Sequence, residues 1–252
     1  MVAMPSTGLH TPKTGTHSST PRLLQPSPDT MTPTSIEAQS LAAELQSHLA
    51  QLRQQAPAEA IALIDSANAQ LEQSGLLKRA LQAGDAAPQF TLPDHLGRPF
   101  DLKAALAQGP VILSFYRGGW CPYCNLELRA YERVLDQIVV AGAQLVAISP
   151  ETPDRADKTS IANALRFPVL SDTRLVVAQQ FGIVFDLAQG LRELYTRFGH
   201  ALPQVNGDDS WALPAPATFV IDRSGRIVLA SVDADYRRRL EPADAIAALR
   251  GL

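Results

Sequence analysis

Sulfur and aromatic rings are scarce in this chain: 252 residues hold two cysteines, three methionines, two tryptophans and 6% aromatic side chains in all. Two cysteines cannot staple a small secreted scaffold, and they cannot build a four-thiolate zinc site. No second C-x-x-C exists, and His10, His17, His48, His95 and His200 lack the paired spacing of a finger or ribbon. No metal or other cofactor is therefore expected. An excess of charge of one sign is also missing. Lys and Arg number 22 against 25 Asp and Glu, a net charge of −3, which argues against nucleic acid or an anionic membrane as a partner. The short run Arg237-Arg238-Arg239 is flanked by Asp233, Asp235 and Glu241, and it reads as a solvated helix-end face. No apolar run approaches the length of a membrane-spanning helix. The apolar fraction of 46% is ample for a packed core.

Residues 1–33 lack what a fold needs. They are rich in Ser, Thr and Pro, and their only charged side chains are Lys13, Arg22 and Asp29. Such a segment cannot offset its chain entropy by burial and is expected to be disordered. It has no apolar centre of a secretory signal. It is acid-poor like an organellar transit peptide, yet it carries too little arginine and no amphipathic pattern. A true start at Met31 is an equal reading, and the location expected is cytoplasmic.

The two cysteines stand together in Gly118-Gly119-Trp120-Cys121-Pro122-Tyr123-Cys124. An apolar run, Val111 to Tyr116, precedes them, and a helix-like stretch from Asn125 follows. A reducing compartment keeps surplus thiols free, so a lone C-x-x-C behind a strand points to thiol redox chemistry. A helix N-terminus offers unpaired N–H groups and partial positive charge, which lower a thiol pKa. On this geometry Cys121, at the turn, is the attacking sulfur, and Cys124 lies one turn deeper.

Before the motif, Thr34-Ser35-Ile36-Glu37 fits a capping box, and Leu41, Leu45, Leu49 and Leu52 form a helical stripe. Pro57 ends that helix and opens the next, whose stripe is Ile61, Ile64 and Leu71 before Gly75. The pair predicts a helical hairpin over residues 34–83, packed on the main domain or, in a homodimer, on a partner subunit; the first is preferred. From Gly84 to Leu252 the pattern alternates. Strands are expected at Val111–Tyr116, Gln144–Ser149, Thr218–Ile221 and Arg226–Ser231, with helices at about 122–141, from Thr152-Pro153, at 174–181 and from Glu241-Pro242. A parallel pair joined by a helix, then a hairpin and a terminal helix, is the order of the thioredoxin-like α/β fold: a central mixed sheet flanked by helices. Gly190 to Leu213 reads as an insertion over the site, with Pro203, Gly207, Asp208 and Asp209 marking a loop.

Three segments carry a more specific resemblance: Gly84-Asp85-Ala86-Ala87-Pro88 with Phe90-Thr91-Leu92, Phe167-Pro168-Val169-Leu170-Ser171-Asp172, and Ala217-Thr218-Phe219-Val220-Ile221-Asp222. In this order the chain resembles the peroxiredoxins, the alkyl-hydroperoxide-reductase/thiol-specific-antioxidant family. The resemblance implies a thiol peroxidase that takes hydroperoxides and is recycled by a thioredoxin- or glutathione-type donor. In the family register Cys124 falls on the peroxidatic cysteine, Cys121 on its threonine and Arg117 on its proline, while Glu127 matches a glutamate often found there. The family's arginine position falls on Pro216, which instead is similar to the proline that thioredoxins hold cis beside their C-x-x-C. Both registers supply a pair of sulfurs, and they disagree over which attacks. Cys121 is preferred because attack needs exposure as well as a low pKa. Arg117 is the nearest cation in sequence, with a surface strand-end role as the rival reading. Trp120 is expected to shield the motif and Glu127 either to accept a proton from Cys124 or to pair with Arg129 or another cation. A thioredoxin-like protein disulfide oxidoreductase and a non-enzymatic redox-sensing module are the alternative functions.

Overall fold

The computed structural model describes residues 40–252. The expected disorder of 1–33 and the capping box at 34–37 lie outside these residues. The first helix described, α1 (Leu41–Gln55), is capped by Ser40, whose hydroxyl accepts from the Ala43 N–H. Pro57 separates it from α2 (Ala58–Gln73), which ends before Gly75 in the left-handed region. Leu41 and Leu45 of the predicted stripe are buried against the chain's own main domain, so that face is intramolecular.

Five strands form the central sheet in the order β5-β4-β3-β8-β9: β3 (Val111–Phe115), β4 (Gln144–Ser149), β5 (Val169–Ser171), β8 (Ala217–Ile221) and β9 (Ile227–Val232). Strand β3 runs parallel to β4, with Phe115 opposite Ile148, and antiparallel to β8, with Phe115 opposite Ala217. Every residue of β3 is buried, as expected of a central strand covered on both faces. Alternation divides it. Val111, Leu113 and Phe115 face one core with α3 (Leu76–Arg79), α4 (Leu102–Gln108) and α7 (Val176–Gln180). Ile112 and Tyr116 face the other, with α1, α5 (Pro122–Val140) and α10 (Pro242–Leu249). The fold is the thioredoxin-like α/β arrangement. The small antiparallel pair β1 (Thr91–Pro93) and β2 (Pro99–Asp101) precedes α4, and α6 (Pro153–Ala162) links β4 to β5.

Two expectations change. The helix predicted from Arg174 starts at Val176, because Arg174 and Leu175 take positive φ values of 70° and 58°. The Asp172 carboxylate accepts from the Val177 and Ala178 N–H groups and so caps a later start, while Leu175 turns into the core. The insertion is helical rather than a loop at Pro203: α8 (Gln189–Arg197) and α9 (Leu202–Asn206) stand between β6 (Val184–Asp186) and β7 (Ala212–Pro214). Pro203 lies in the first turn of α9, where its missing N–H costs nothing, and Gly207 closes that helix in the left-handed region. These helices share a third core with α2, through Ile64, Leu191, Leu194, Tyr195 and Leu202.

Candidate active site

The chain leaves β3 through Tyr116 and Arg117, crosses Gly118-Gly119-Trp120, and enters α5 with Cys121 as N-cap and Pro122 in the first turn. Two glycines are required here by space. Gly118 has φ +149° and a Cβ on it would meet the Trp120 ring at 2.2 Å; a Cβ on Gly119 would meet Thr159 Oγ1 at 2.0 Å. The Gly119 peptide is held on both sides. Its N–H donates to Glu151 Oε2 at 3.0 Å, and its C=O accepts from Asn125 Nδ2 at 2.7 Å. Glu151 also accepts from the Thr159 hydroxyl, so a buried carboxylate ties the turn to α6.

Both cysteines are free thiols, and both are buried, Cys121 at 2% and Cys124 at 0% exposure. The premise that Cys121 is open to solvent is thus overturned, since Trp120 and the insertion cover the turn. Trp120 lies edge-on to Tyr195, with 5.5 Å between ring centroids, and against His200 at 5.1 Å. The sequence singled out Trp120 but not Tyr195, its ring neighbour here.

Each sulfur has its own buried arginine. Arg117 is buried, not a surface residue, and its Nη1 lies 3.8 Å from Cys121 Sγ. Its Nη2 donates to the Tyr195 hydroxyl, and its guanidinium sits 4.0 Å from the Tyr236 ring centroid and 5.0 Å from that of Trp120. Aromatic faces stabilise a desolvated cation without neutralising it. Among the described residues Arg117 Nε has no hydrogen-bond partner. On the other side, Arg239 Nη2 lies 3.5 Å from Cys124 Sγ, and its Nε donates to Glu127 Oε2 at 2.7 Å. The side chains of this ion pair are 2% and 1% exposed.

Arg239 corrects the expectation of a solvated arginine run. Only Arg238 of the three is an exposed residue. Arg237 is largely buried and pairs with Asp235 and Asp65. Arg117 and Arg239, from distant places in the chain, put one cation beside each sulfur. Glu127 is paired with Arg239 rather than Arg129, whose Nη1 donates to Asn163. Pro216 itself is buried between β7 and β8, and it borders two cavities, one reaching Arg117 and the other Glu127 and Arg239.

The charges divide the two thiols. Burial alone opposes ionisation of both. At Cys121 it is outweighed by the neighbouring Cys124 thiol and by the fields of Arg117 and Arg239, which bring the pKa below the ordinary thiol range. At Cys124 burial and the adjacent Cys121 push the pKa well up, with Arg239 and Arg117 opposing that rise. The N-terminus of α5 adds partial positive charge on the same side as Cys121. Glu127 is raised by burial to about 7, with Arg239 opposing that rise.

This carboxyl has a measurable consequence. Its folded pKa lies above the unfolded value of 4.5, so the native state binds the extra proton between about 4.5 and about 7. The stability it contributes is fully present below 4.5 and is lost as pH rises through about 7. Urea unfolding of the reduced protein across that range is expected to show a smaller loss of stability with rising pH in Glu127→Gln than in the parent. An unchanged slope would mean that Glu127 is already ionised at the acid end.

The AhpC/TSA family profile matches residues 83–230, more than half of the chain. The chain belongs to the AhpC/TSA family. A Mycobacterium tuberculosis protein whose name assigns it provisionally to the peroxiredoxins is 28% identical over 172 residues, covering 68% of this chain and 98% of its own. Peroxiredoxin Bcp of Escherichia coli K12 is 32% identical over 103 residues, 41% of this chain and 65% of that one. The crystal structure of peroxidoxin BcpB from M. tuberculosis superposes with a TM-score of 0.54 at 26% identity, over 68% of this chain and 98% of that one. Helices α1 and α2 and residue Arg239 lie outside the AhpC/TSA match.

Proposed function

We propose that this AhpC/TSA protein is an antioxidant thiol peroxidase whose working pair is Cys121 and Cys124. The observation that carries the reading is the geometry of the pair: Cys121 at the N-terminus of α5 beside Arg117, which keeps a spare donor, and Cys124 one helical turn on beside an Arg239 already engaged with Glu127. In the first step the Cys121 thiolate attacks one oxygen of a hydroperoxide and the O–O bond breaks. Sulfur is oxidised to sulfenic acid, and the leaving oxygen takes a proton to become an alcohol or water. Arg117 donates to the oxygen on which negative charge develops. In the second step Cys124 sulfur attacks the sulfenic sulfur, its proton leaves with the hydroxyl as water, and a disulfide forms. Glu127, raised to about 7 and sharing Arg239 with Cys124, is placed to exchange that proton near neutral pH. The net change is loss of two hydrogens from the chain per peroxide reduced.

A thioredoxin- or glutathione-type thiol would return the disulfide to two thiols by exchange. We place the protein in the cytoplasm, where surplus thiols are kept reduced; separately, among the described residues no helix is long and apolar enough to cross a membrane. The alternative, a protein disulfide oxidoreductase, would use the same two sulfurs but would give the free Arg117 Nε no oxygen to hold. The test is a coupled assay in which NADPH, thioredoxin reductase and thioredoxin, or NADPH, glutathione reductase and glutathione, sustain hydroperoxide consumption. Turnover with one of the donors is expected. Absence of turnover with both, alongside reduction of insulin disulfides, would favour the oxidoreductase reading.

A further inference from the structure

Residues 233–240 carry two of the groups that surround the sulfurs, yet they form neither helix nor strand. Tyr236 sets its ring 4.0 Å from the Arg117 guanidinium and meets Tyr123 edge-on, with 5.4 Å between centroids. Arg239 reaches Cys124 and Glu127. Its Nη1 also donates to the carbonyls of Tyr236 and Arg238, so its head group follows the path of this backbone. Among the described residues that backbone bonds to the rest of the chain only at Asp233, whose N–H donates to Pro216 C=O at 3.3 Å. The other polar ties, Arg239 apart, come from one stripe of α2. Asp65, Asn68 and Glu72 recur at helical spacing and share a face. Asp65 Oδ1 accepts from Arg237 Nη1 at 2.6 Å, the buried Asn68 donates to Asp235 Oδ1 at 3.0 Å, and Glu72 pairs with Arg238. The neighbouring face of the same helix, through Leu63, Ile64 and Ala67, packs on the insertion that carries Tyr195.

We infer that α2 is a positioning element of the redox pair: Asp65, Asn68 and Glu72 hold residues 233–240 where Tyr236 braces Arg117 and Arg239 stands beside Cys124. The inference rests on Cys121 and Cys124 being the working pair, and it is independent of the oxidant they meet. Both α2 and residues 233–240 lie outside the segment matched to the AhpC/TSA profile, so this support is an addition to the matched core. The sign of an effect on the thiols separates position from field. Asp65 and Glu72 are acids, and removing their charge acts through space in one direction only, toward the thiolate. Asp65 also meets Arg53 of α1 at 3.9 Å, so its removal frees two cations, which push the same way. Loss of position acts oppositely, because an Arg239 free to turn toward water no longer stabilises a thiolate at either sulfur. Glu127 and Glu151, the buried acids near Cys124, are the same in each variant and its parent.

The experiment follows the ultraviolet absorbance of the thiolate in the reduced full chain from about pH 4 to about pH 9. Asp65→Asn combined with Glu72→Gln removes both carboxylates, at side chains 40% and 43% exposed, where a lost pair costs little stability. The midpoint of thiolate formation is expected to rise by about one pH unit, the low end of what a neighbouring opposite charge supplies. Asp65→Asn alone is expected to move the midpoint the same way by less, and urea unfolding of both variants separates this from loss of the fold. With Glu127→Leu and Arg239→Leu already in place, the same two substitutions are expected to cause no rise, because the group they position is gone. A midpoint that stays or falls in the folded variants, or an equal rise without Arg239, would overturn the positioning role while leaving the cysteine pair standing. A midpoint near about 8.5 in the unmodified protein, the value of a free cysteine, would overturn the reading of the working pair and this role with it.

Discussion

Cys121→Ser is expected to slow the reaction with hydrogen peroxide by ~10³-fold or more, because it removes the sulfur at the N-terminus of α5 beside Arg117, where a thiolate is favoured. Cys124→Ser is expected to keep the first step within about tenfold and to stop at the sulfenic acid, since the first transition state does not use the second sulfur. The sulfenic acid would be trapped by dimedone on the peptide that carries Cys121, and excess peroxide would carry it on to the sulfinic acid. The two arginines support this assignment. Arg117 approaches Cys121 at 3.8 Å and has a free donor for oxygen, whereas Arg239 approaches Cys124 and is already engaged with Glu127. The family register gives the opposite assignment, with Cys124 as attacker. A fast, alkylatable thiol surviving in Cys121→Ser, with loss of peroxide reactivity in Cys124→Ser, would decide for that register.

Arg239→Leu is the second large effect, and it falls mainly on stability. The substitution leaves the Glu127 carboxyl, 1% exposed on α5, buried without its cation. Breaking one half of a buried pair costs about 3–5 kcal/mol, more than the pair itself contributes over an apolar replacement. Glu127→Leu combined with Arg239→Leu is accordingly expected to recover much of the loss. Urea unfolding of the reduced single and double variants measures both. A cost for Arg239→Leu of about 1 kcal/mol or less, the range of exposed pairs, would show that water reaches the pair in solution. In the double variant Cys124 also loses its neighbouring cation, so disulfide formation after the first oxidation is expected to slow.

The parts of this site that local sequence could reveal are those that neighbour each other along the chain. Val111 to Phe115 is an unbroken apolar run because β3 is covered on both faces, and Pro122 after Cys121 marks a helix start. Strand, Gly-Gly turn and C-x-x-C therefore placed both sulfurs before any coordinates. Arg239 was hidden for a physical reason. Its partners, Glu127 and Cys124, are 112 and 115 residues away, and a run of arginines among aspartates looks the same whether it faces water or a core. The signal available was position: the run follows the last strand of the sheet and precedes the terminal helix, close to the end where β3 delivers the motif. Tyr195 and Tyr236 escaped notice likewise, because the cage they form around Arg117 depends on how the insertion folds back. Glycine, proline and acidic residues in that insertion suggested a loop, while its Leu191, Leu194 and Tyr195 spacing, the mark of α8 packing inward, carried the truer information. The exposure assumed for Cys121 failed for the same reason.

The central claim is that the buried pair reacts directly with hydroperoxide. Its most direct test mixes the reduced full chain with hydrogen peroxide in a stopped-flow instrument, follows tryptophan fluorescence beside Cys121, and measures intact mass at the end. Oxidation is expected to run orders of magnitude faster than that of free cysteine, with two hydrogens lost from each chain. A rate near that of free cysteine, with rapid exchange against oxidised thioredoxin, would contradict it and make this a disulfide reductase built on the same frame.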